Sequence, residues 1–220
     1  MVSQFSQNQS SQNLTVRRAT AADADWAVPL LFATGPGLFS YIFAAPPAQA
    51  QEILQQAFVL PQHAFSYEHT HIVEAGDRYA GLIIGYPSSI KKVADEKVHF
   101  AMARVIPLRK LPKILVNVAD FSRIKQEVSP TDYYILGLTV APEFRQQGIA
   151  AQLLDWAEWQ AEEHGCTHIC ADITYTNAIA FRLFEQWGYH LVCSKTTERF
   201  AQMTNSGGIH RVRKAIDLEE

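Results

Sequence analysis

The stretch that most constrains this chain is a buried strand that breaks at a glycine-bearing loop and continues as a helix. Residues 133–140 (YYILGLTV) form a nearly continuous apolar run, the pattern of a strand covered on both faces. Ala141-Pro142-Glu143-Phe144 breaks it. Ile149, Ala150, Leu153, Trp156 and Ala157 then recur at helical spacing until Gly165 stops them. Between the two elements lies Arg145-Gln146-Gln147-Gly148-Ile149-Ala150. Free N–H groups at a helix N-terminus, with the positive end of the dipole behind them, form an anion site. Gly148 lets the backbone approach a ligand, small Ala150 and Ala151 keep the way clear, and Arg145 adds a fixed cation. That chemistry suits a diphosphate, although the same residues also read as an ordinary tight turn. There is no Gly-Lys-Ser/Thr of a P-loop, and one glycine is not Gly-x-Gly-x-x-Gly.

The flanking segments set the fold class. Residues 168–173 read as the next strand, and Asn177 caps a helix whose Ala180, Phe181, Phe184 and Trp187 form an apolar stripe ending at Gly188. Residues 189–200 and 209–216 read as two last strands around Ser206-Gly207-Gly208. Upstream, residues 14–20 alternate as a first strand, residues 23–33 read as a helix stopped by Gly35-Pro36-Gly37, and residues 47–59 as a second helix. Residues 67–74 and 78–86 flank Ala75-Gly76-Asp77 as a hairpin. Strands alternating with helices, then paired strands, predict an α/β domain. Residues 88–131 scatter Lys91, Lys92, Arg104, Arg109, Lys110, Lys113, Arg123 and Lys125 among apolar positions. They read as one or two surface helices with a solvated basic face, or more sharply as a cap over a binding site.

Composition bounds the function. At 220 residues and 48% hydrophobic, the chain suffices for one domain with a real core. A net charge of -3 argues against nucleic acid or an anionic membrane as the main partner. Cys166, Cys170 and Cys193 are too few for a disulfide framework and fit a reducing compartment. Residues 1–13, mostly Ser, Gln and Asn, read as a disordered polar tail, with no targeting segment and no run long enough to span a bilayer. The expectation is a cytoplasmic protein with one domain over residues 14–220, carrying an insertion at 88–131.

Two motifs in order carry a family resemblance. Val140-Ala141-Pro142 followed by residues 145–150 fits Val-x-Pro and then Gln/Arg-x-x-Gly-x-Gly/Ala. Further on, Asn177-Ala178-Ile179-Ala180 and Gly188-Tyr189 fit Asn-x-x-Ala, a helix, and Gly-Phe/Tyr. Over residues 133–200 the chain thus resembles the GNAT superfamily of acyl-CoA-dependent N-acetyltransferases; upstream only the order of elements agrees. The resemblance implies a splayed, mostly antiparallel mixed sheet of seven strands flanked by helices and opened between its fourth and fifth strands. It implies acetyl-CoA, or another short acyl-CoA, as donor cosubstrate, no metal, and a small-molecule or peptide amine as acceptor; a homodimer is compatible with it. It sets main-chain groups of Leu138, Thr139 and Val140 against the pantetheine amides. The amides of Arg145, Gln146, Gln147, Gly148, Ile149, Ala150 and Ala151 would hold the diphosphate, Asn177 would bond the pantetheine, and Ala180 to Phe184 would line the thiol end.

The chain departs from that pattern where catalysis is concerned. Many members place a tyrosine on the last helix to protonate the departing thiolate; the matching residue here is Phe184. A thiol of this kind has a pKa of roughly 8.5 and leaves without much help, and a positioned acid adds ~10²–10⁴-fold. Tyr175 is a possible substitute, or a packing residue at a strand end. Some members carry a glutamate as base on the strand before the loop; Tyr134 holds that place, with Asp132 on the same strand face. Tyr134 also reads as packing and Asp132 as a solvent group, and a water chain to a more distant carboxylate or histidine serves equally. His164, Cys166, His168 and Cys170 have zinc-like spacing but cross from a helix end into a strand, which cannot aim them at one tetrahedron. His69 and His71 read as solvent-facing, or as a bis-histidine pair on one strand face. Trp26, Phe32, Phe39, Tyr41 and Phe43 would wall the acceptor pocket, or simply fill the core. The expected reaction is direct attack of a neutral amine on the thioester. A catalytically weak acyl-CoA-binding sensor is the rival, and a nucleotide or phosphosugar binder using the same loop is a third reading.

Overall fold

The computed structural model describes residues 14–216, so the polar segment 1–13 lies outside the described residues. In chain order the elements are β1 (Leu14–Arg18), α1 (Ala24–Ala33), α2 (Pro36–Ile42), α3 (Pro47–Phe58), β2 (Thr70–Ala75) and β3 (Arg78–Pro87). Then come α4 (Ser88–Val105), α5 (Leu111–Phe121), β4 (Asp132–Val140), α6 (Ile149–Glu163) and β5 (His168–Thr174). The chain closes with α7 (Ala178–Gln186), β6 (His190–Lys195), α8 (Glu198–Thr204) and β7 (Ile209–Ala215). All seven strands form one sheet in the order β1-β2-β3-β4-β5-β7-β6. Only β4 and β5 run parallel, which makes the sheet mixed and mostly antiparallel.

Both faces of the sheet are covered, which is why its central strands read as unbroken apolar runs. On one face Leu31, Leu54 and Phe58 of α1 and α3 pack against Leu82, Ile84 and Tyr86 of β3. On the other, Leu153, Leu154 and Ala157 of α6 pack against Ile83, Ile135 and Ile169. The sheet opens in the middle. β4 pairs with β5 only from Asp132 to Ile135, against His168 to Ala171. At the same point the β3–β4 register slips, leaving Leu136 as the extra residue of a bulge between Ile135 and Gly137. A bulge bends the strand that carries it, and here it bends β4 where β5 parts from it. The splay expected between the fourth and fifth strands is thus present and has a local cause.

Three local expectations need correction. Gly35-Pro36-Gly37 does not only stop α1; Pro36 stands in the first turn of α2, where its missing N–H costs nothing. A Cβ at Gly37 would collide with the Thr204 carbonyl oxygen, so α8 can lie directly on α2. Residues 189–200 are not one strand: β6 ends at Lys195, and the Thr197 hydroxyl accepts the Phe200 N–H (3.0 Å) to start α8. Nor are His69 and His71 solvent-facing partners on one strand face. His69 sits in a 3-10 turn and packs on Tyr86 (5.0 Å), while His71 packs on Trp156 (4.1 Å) and burial pushes its pKa down to about 3. Within residues 88–131 lie two helices, α4 and α5.

One buried ion pair ties β1 to the first helix and predicts an acid sensitivity. Arg17 donates to both oxygens of buried Asp23 (2.7 and 3.0 Å), and the Thr20 N–H adds a third bond (2.7 Å). The guanidinium hydrogen bonds hold the carboxyl down to about 2, from 3.8. A depressed carboxyl stabilises the fold fully above its unfolded pKa and loses that contribution as pH falls through the folded value; here it amounts to roughly 2 kcal/mol. Asp23→Asn is therefore expected to lower Tm by roughly 4–8 °C at pH 7. Thermal melts from pH 7 to pH 2 should show that gap closing below pH 4; equal Tm values at pH 7 would refute it.

Candidate functional site

The loop between β4 and α6 presents bare amides. Gly148 begins α6 in the left-handed region (φ 79°), and no side chain caps the helix. The first intrahelical bond runs from the Gln152 N–H to the Gly148 carbonyl (3.2 Å), so the N–H groups before it have no helical partner. No atom lies within 4 Å of where a Cβ on Gly148 would stand. Gln146 is also left-handed (φ 61°), which coils the loop tightly ahead of the helix. Two side chains brace it from behind: Arg145 Nε donates to the Val140 carbonyl (3.3 Å), and Gln147 Nε2 to the Glu143 carbonyl (3.1 Å).

The strand leading into the loop has a free edge. The Ala141 N–H donates to the Ala80 carbonyl on β3 (2.8 Å), and peptide direction alternates along an antiparallel pair. Thr139, opposite Leu82, therefore also turns its peptide groups to β3. Leu138 and Val140 turn theirs the other way, toward the gap left by β5. The Thr139 peptide is spent inside the sheet and the Val140 carbonyl accepts from Arg145 Nε, which leaves the Leu138 peptide groups turned to the gap.

A cavity of about 160 Å³ fills the gap. Leu136, Gly137 and Leu138 form its β4 wall, Asp172 and Thr174 its β5 wall, and Asn177, Ala180 and Phe184 its α7 wall. Asn177 Oδ1 is occupied in capping α7 through the Ala180 N–H (3.2 Å). Phe184 is buried edge-on against Tyr189 (4.8 Å). Across the cavity stand Phe39 and Ile42 of α2, Lys91 and Asp95 of α4, Phe121 of α5, and Lys125. Of the five aromatics expected to wall an acceptor pocket, Phe39 lines the cavity. Trp26 instead packs on Tyr79 (4.8 Å), and the Tyr41 hydroxyl donates to Asp120 (2.6 Å). Residues 88–131 thus contribute Lys91, Asp95, Phe121 and Lys125 to the cavity wall.

The three residues expected at the chemistry are not arranged alike. Tyr134 lines the cavity, but its hydroxyl donates to Asp172 (3.1 Å), and burial holds its pKa well above the ordinary tyrosine value. Its ring lies between Lys91 Nζ (4.9 Å) and the Arg211 guanidinium (5.4 Å). Asp132 is no solvent group: it is 2% exposed, and both oxygens take Arg213 (2.7 and 3.1 Å) away from the cavity wall. Tyr175 stacks on His210 (4.2 Å) and on Gly207 and Gly208, outside the wall. Cys166 and Cys170 are buried; burial raises both thiols, Cys170 to about 12. His164 turns its Nδ1 back to the Gln160 carbonyl (2.7 Å).

Sequence reasoning missed Tyr86, Lys91, Asp95, Lys125, Asp172 and Arg211. Lys91 and Asp95 have the i,i+4 spacing of a helical ion pair, a signal that looks the same on a solvated face. Nothing in the sequence marks that Lys91 is buried.

Comparison with known proteins places this geometry. A family model described as acetyltransferase (GNAT) family matches residues 40–189, more than half of the chain. The aminoglycoside N(6')-acetyltransferase type 1 of Acinetobacter baumannii is 32% identical over 57 residues, which is 26% of this chain and 39% of that protein. The matched segment thus spans well under two thirds of that relative. An acetyltransferase crystal structure superposes with a TM-score of 0.63 at 20% identity, covering 92% of this chain and 99% of that one. An N-acetyltransferase from Staphylococcus aureus Mu50 gives 0.65 at 14% identity, covering 90% and 99%. At these identities the two structures show a shared fold. With the family model spanning both the loop and the Asn177 helix, the chain belongs to the GNAT acetyltransferase family.

Proposed function

We propose that this protein transfers an acetyl group from acetyl-CoA to a primary amine by direct attack in a ternary complex. One observation supports the reading: Leu138, on the edge of β4 that β5 leaves unpaired, walls the cavity at the splay, and the same strand runs on into the bare amides at the start of α6. The residues fit the cosubstrate. Amides of residues 148–151 suit a diphosphate, the Leu138–Val140 edge suits the amides of a pantetheine arm, and apolar Ala180 and Phe184 suit the thiol end.

The chain's own groups then divide the chemistry. The Leu138 N–H, aimed into the gap, stabilises negative charge developing on the carbonyl oxygen. The apolar wall disfavours an ammonium, so the acceptor gives its proton to water before attack. As nitrogen bonds the carbonyl carbon it gives a second proton to water, the carbon–sulfur bond breaks, and the thiolate takes a proton from solvent. Phe184 offers none, and at a pKa of roughly 8.5 the thiol needs none. Asp132 and Tyr175 have no part at this place, and Tyr134 contributes by holding Asp172 rather than by accepting a proton. Phe184 and the committed Tyr134 hydroxyl favour one alternative, a binding domain that holds acetyl-CoA without turnover.

Thermal melts with acetyl-CoA, free CoA and ATP test the donor site. A ligand at 100 times its Kd adds about 2.7 kcal/mol, which is a rise of roughly 5–11 °C for a domain of this size. The rise is expected with both CoA species and not with ATP; no rise with acetyl-CoA would overturn the donor assignment. Release of CoA thiol on adding an amine then separates enzyme from binding domain.

A further inference from the structure

The cavity carries a charge imbalance that acetyl transfer does not use. Asp95 Oδ2 accepts from both Lys91 Nζ (2.6 Å) and Lys125 Nζ (2.7 Å), so one carboxylate serves two ammonium groups. Lys91 is 6% exposed, which makes the shortage costly. Burial and the neighbouring Lys125 depress its pKa by more than Asp95 restores. Asp172, the other carboxylate in the wall, is already neutralised, with Arg211 on both oxygens (2.6 and 2.9 Å). Tyr86 lines the same cavity at 1% exposure, and its hydroxyl has no partner among the described residues. It feels the charge of Asp95, which sets it beside the lysine pair. Two cations and an idle hydroxyl donor thus face a cavity with one carboxylate free to balance them.

The lysine end and the thioester end lie apart. Lys91 stands over Tyr134, four residues before Leu138 on β4, a run of about 13 Å along a strand. Much of the same cavity wall is apolar, with Leu38, Phe39, Phe65 and Phe121. We propose that the acceptor is an amine bearing a carboxylate at the far end of an apolar body. The carboxylate is seated by Lys91, Lys125 and Tyr86 while the amine is directed at Leu138. The inference rests on the transfer reading above for the amine, and on the lysine cluster for the carboxylate. A polycationic amine meets two ammonium groups at that end and is disfavoured.

The test uses matched amines that differ only in the carboxylate: hexylamine against 6-aminohexanoate, and phenethylamine against 4-(2-aminoethyl)benzoate, with kanamycin as the polycation. Thiol release gives kcat/KM, and calorimetry on the CoA-loaded protein gives Kd. Each carboxylated member is expected to exceed its partner by about tenfold or more, the scale of a charge-assisted contact. Tyr86→Phe and Lys125→Met should each shrink that ratio, which is internal to each variant and independent of how much protein folds. A carboxylated member no better than its partner, kanamycin as the best acceptor, or ratios unmoved in both variants would each overturn the proposal. If no amine releases thiol while carboxylated amines still bind in a Lys125-dependent way, the transfer reading falls and the carboxylate site stands.

Discussion

Replacing Arg211 by methionine is expected to destabilise the protein by about 3–5 kcal/mol, the scale for breaking one partner out of a buried ion pair. For a domain of this length that lowers Tm on the order of 6–20 °C. Arg211 is 4% exposed and holds Asp172 in a two-point fork. It also donates to the Glu127 carbonyl (3.1 Å) and the Gln126 carbonyl (3.3 Å), so one side chain on β7 ties β5 to the segment between α5 and β4. Methionine fills much of the volume, but it leaves the Asp172 carboxylate with only the Tyr134 hydroxyl and frees both carbonyls. Adding Asp172→Asn to Arg211→Met should recover part of the loss, because the cost lies mainly in the stranded charge. Urea unfolding of the two single variants and the double variant measures this. A loss below about 1 kcal/mol for Arg211→Met would mean the pair contributes little more than a surface bridge.

Arg211, whose partners lie on distant segments, illustrates what was not legible beforehand. The strand–loop–helix unit could be read because each part has its own local cause: a run of apolar residues, a left-handed glycine, and a helix with apolar residues at helical spacing. The Asn177 cap was legible for the same reason, since the bond from the Ala180 N–H closes within three residues. The missed helices α2 and α8 also have local causes, but these compete. Pro36 opens one helix with the same residue that helps end another, and Thr197 caps a helix inside a run that reads as strand from Tyr189 onward. Each is held in place by long-range packing, with Tyr41 of α2 edge-on to Phe200 of α8 at 5.5 Å.

The site split along the same line. Backbone groups of the loop lie in consecutive residues, so their grouping could be read from the sequence. Groups that act through side chains are brought together from distant elements: Tyr86 from β3, Lys91 and Asp95 from α4, Lys125 from the segment after α5, and Asp172 from β5. In sequence the lysines belong to a basic run, and their neighbours Lys92 and Arg123 are exposed. Only burial separates Lys91 from them, and burial is a property of the folded chain. Asp132 failed in the opposite sense: a carboxylate at a strand end looks solvated, but Arg213, two positions after Arg211 on β7, reaches back to cover it.

The second large effect is expected at Gly148, where valine should raise the KM for acetyl-CoA about 100-fold. Two consequences of the substitution can be separated. The first is conformational: at φ 79° an L-residue carries strain of roughly 1–2 kcal/mol, worse when β-branched, which lowers Tm by roughly 2–8 °C. The second is occupancy. A Cβ at this position meets no protein atom within 4 Å, so the fold has room for it. The space it takes lies beside the bare amides at the start of α6, where an anion would have to approach. Losing one or two amide bonds to a charged group, at about 1.5–3 kcal/mol each, corresponds to the expected change in KM. Gly148→Ala separates the two: it bears much of the strain but intrudes less, so its Tm should resemble that of Gly148→Val while its KM rises less. Steady-state kinetics in acetyl-CoA, with melts of both variants alone and with the cosubstrate, read the two effects independently. If Gly148→Val loses stability as predicted but keeps its KM, the loop is a structural turn and the diphosphate lies elsewhere.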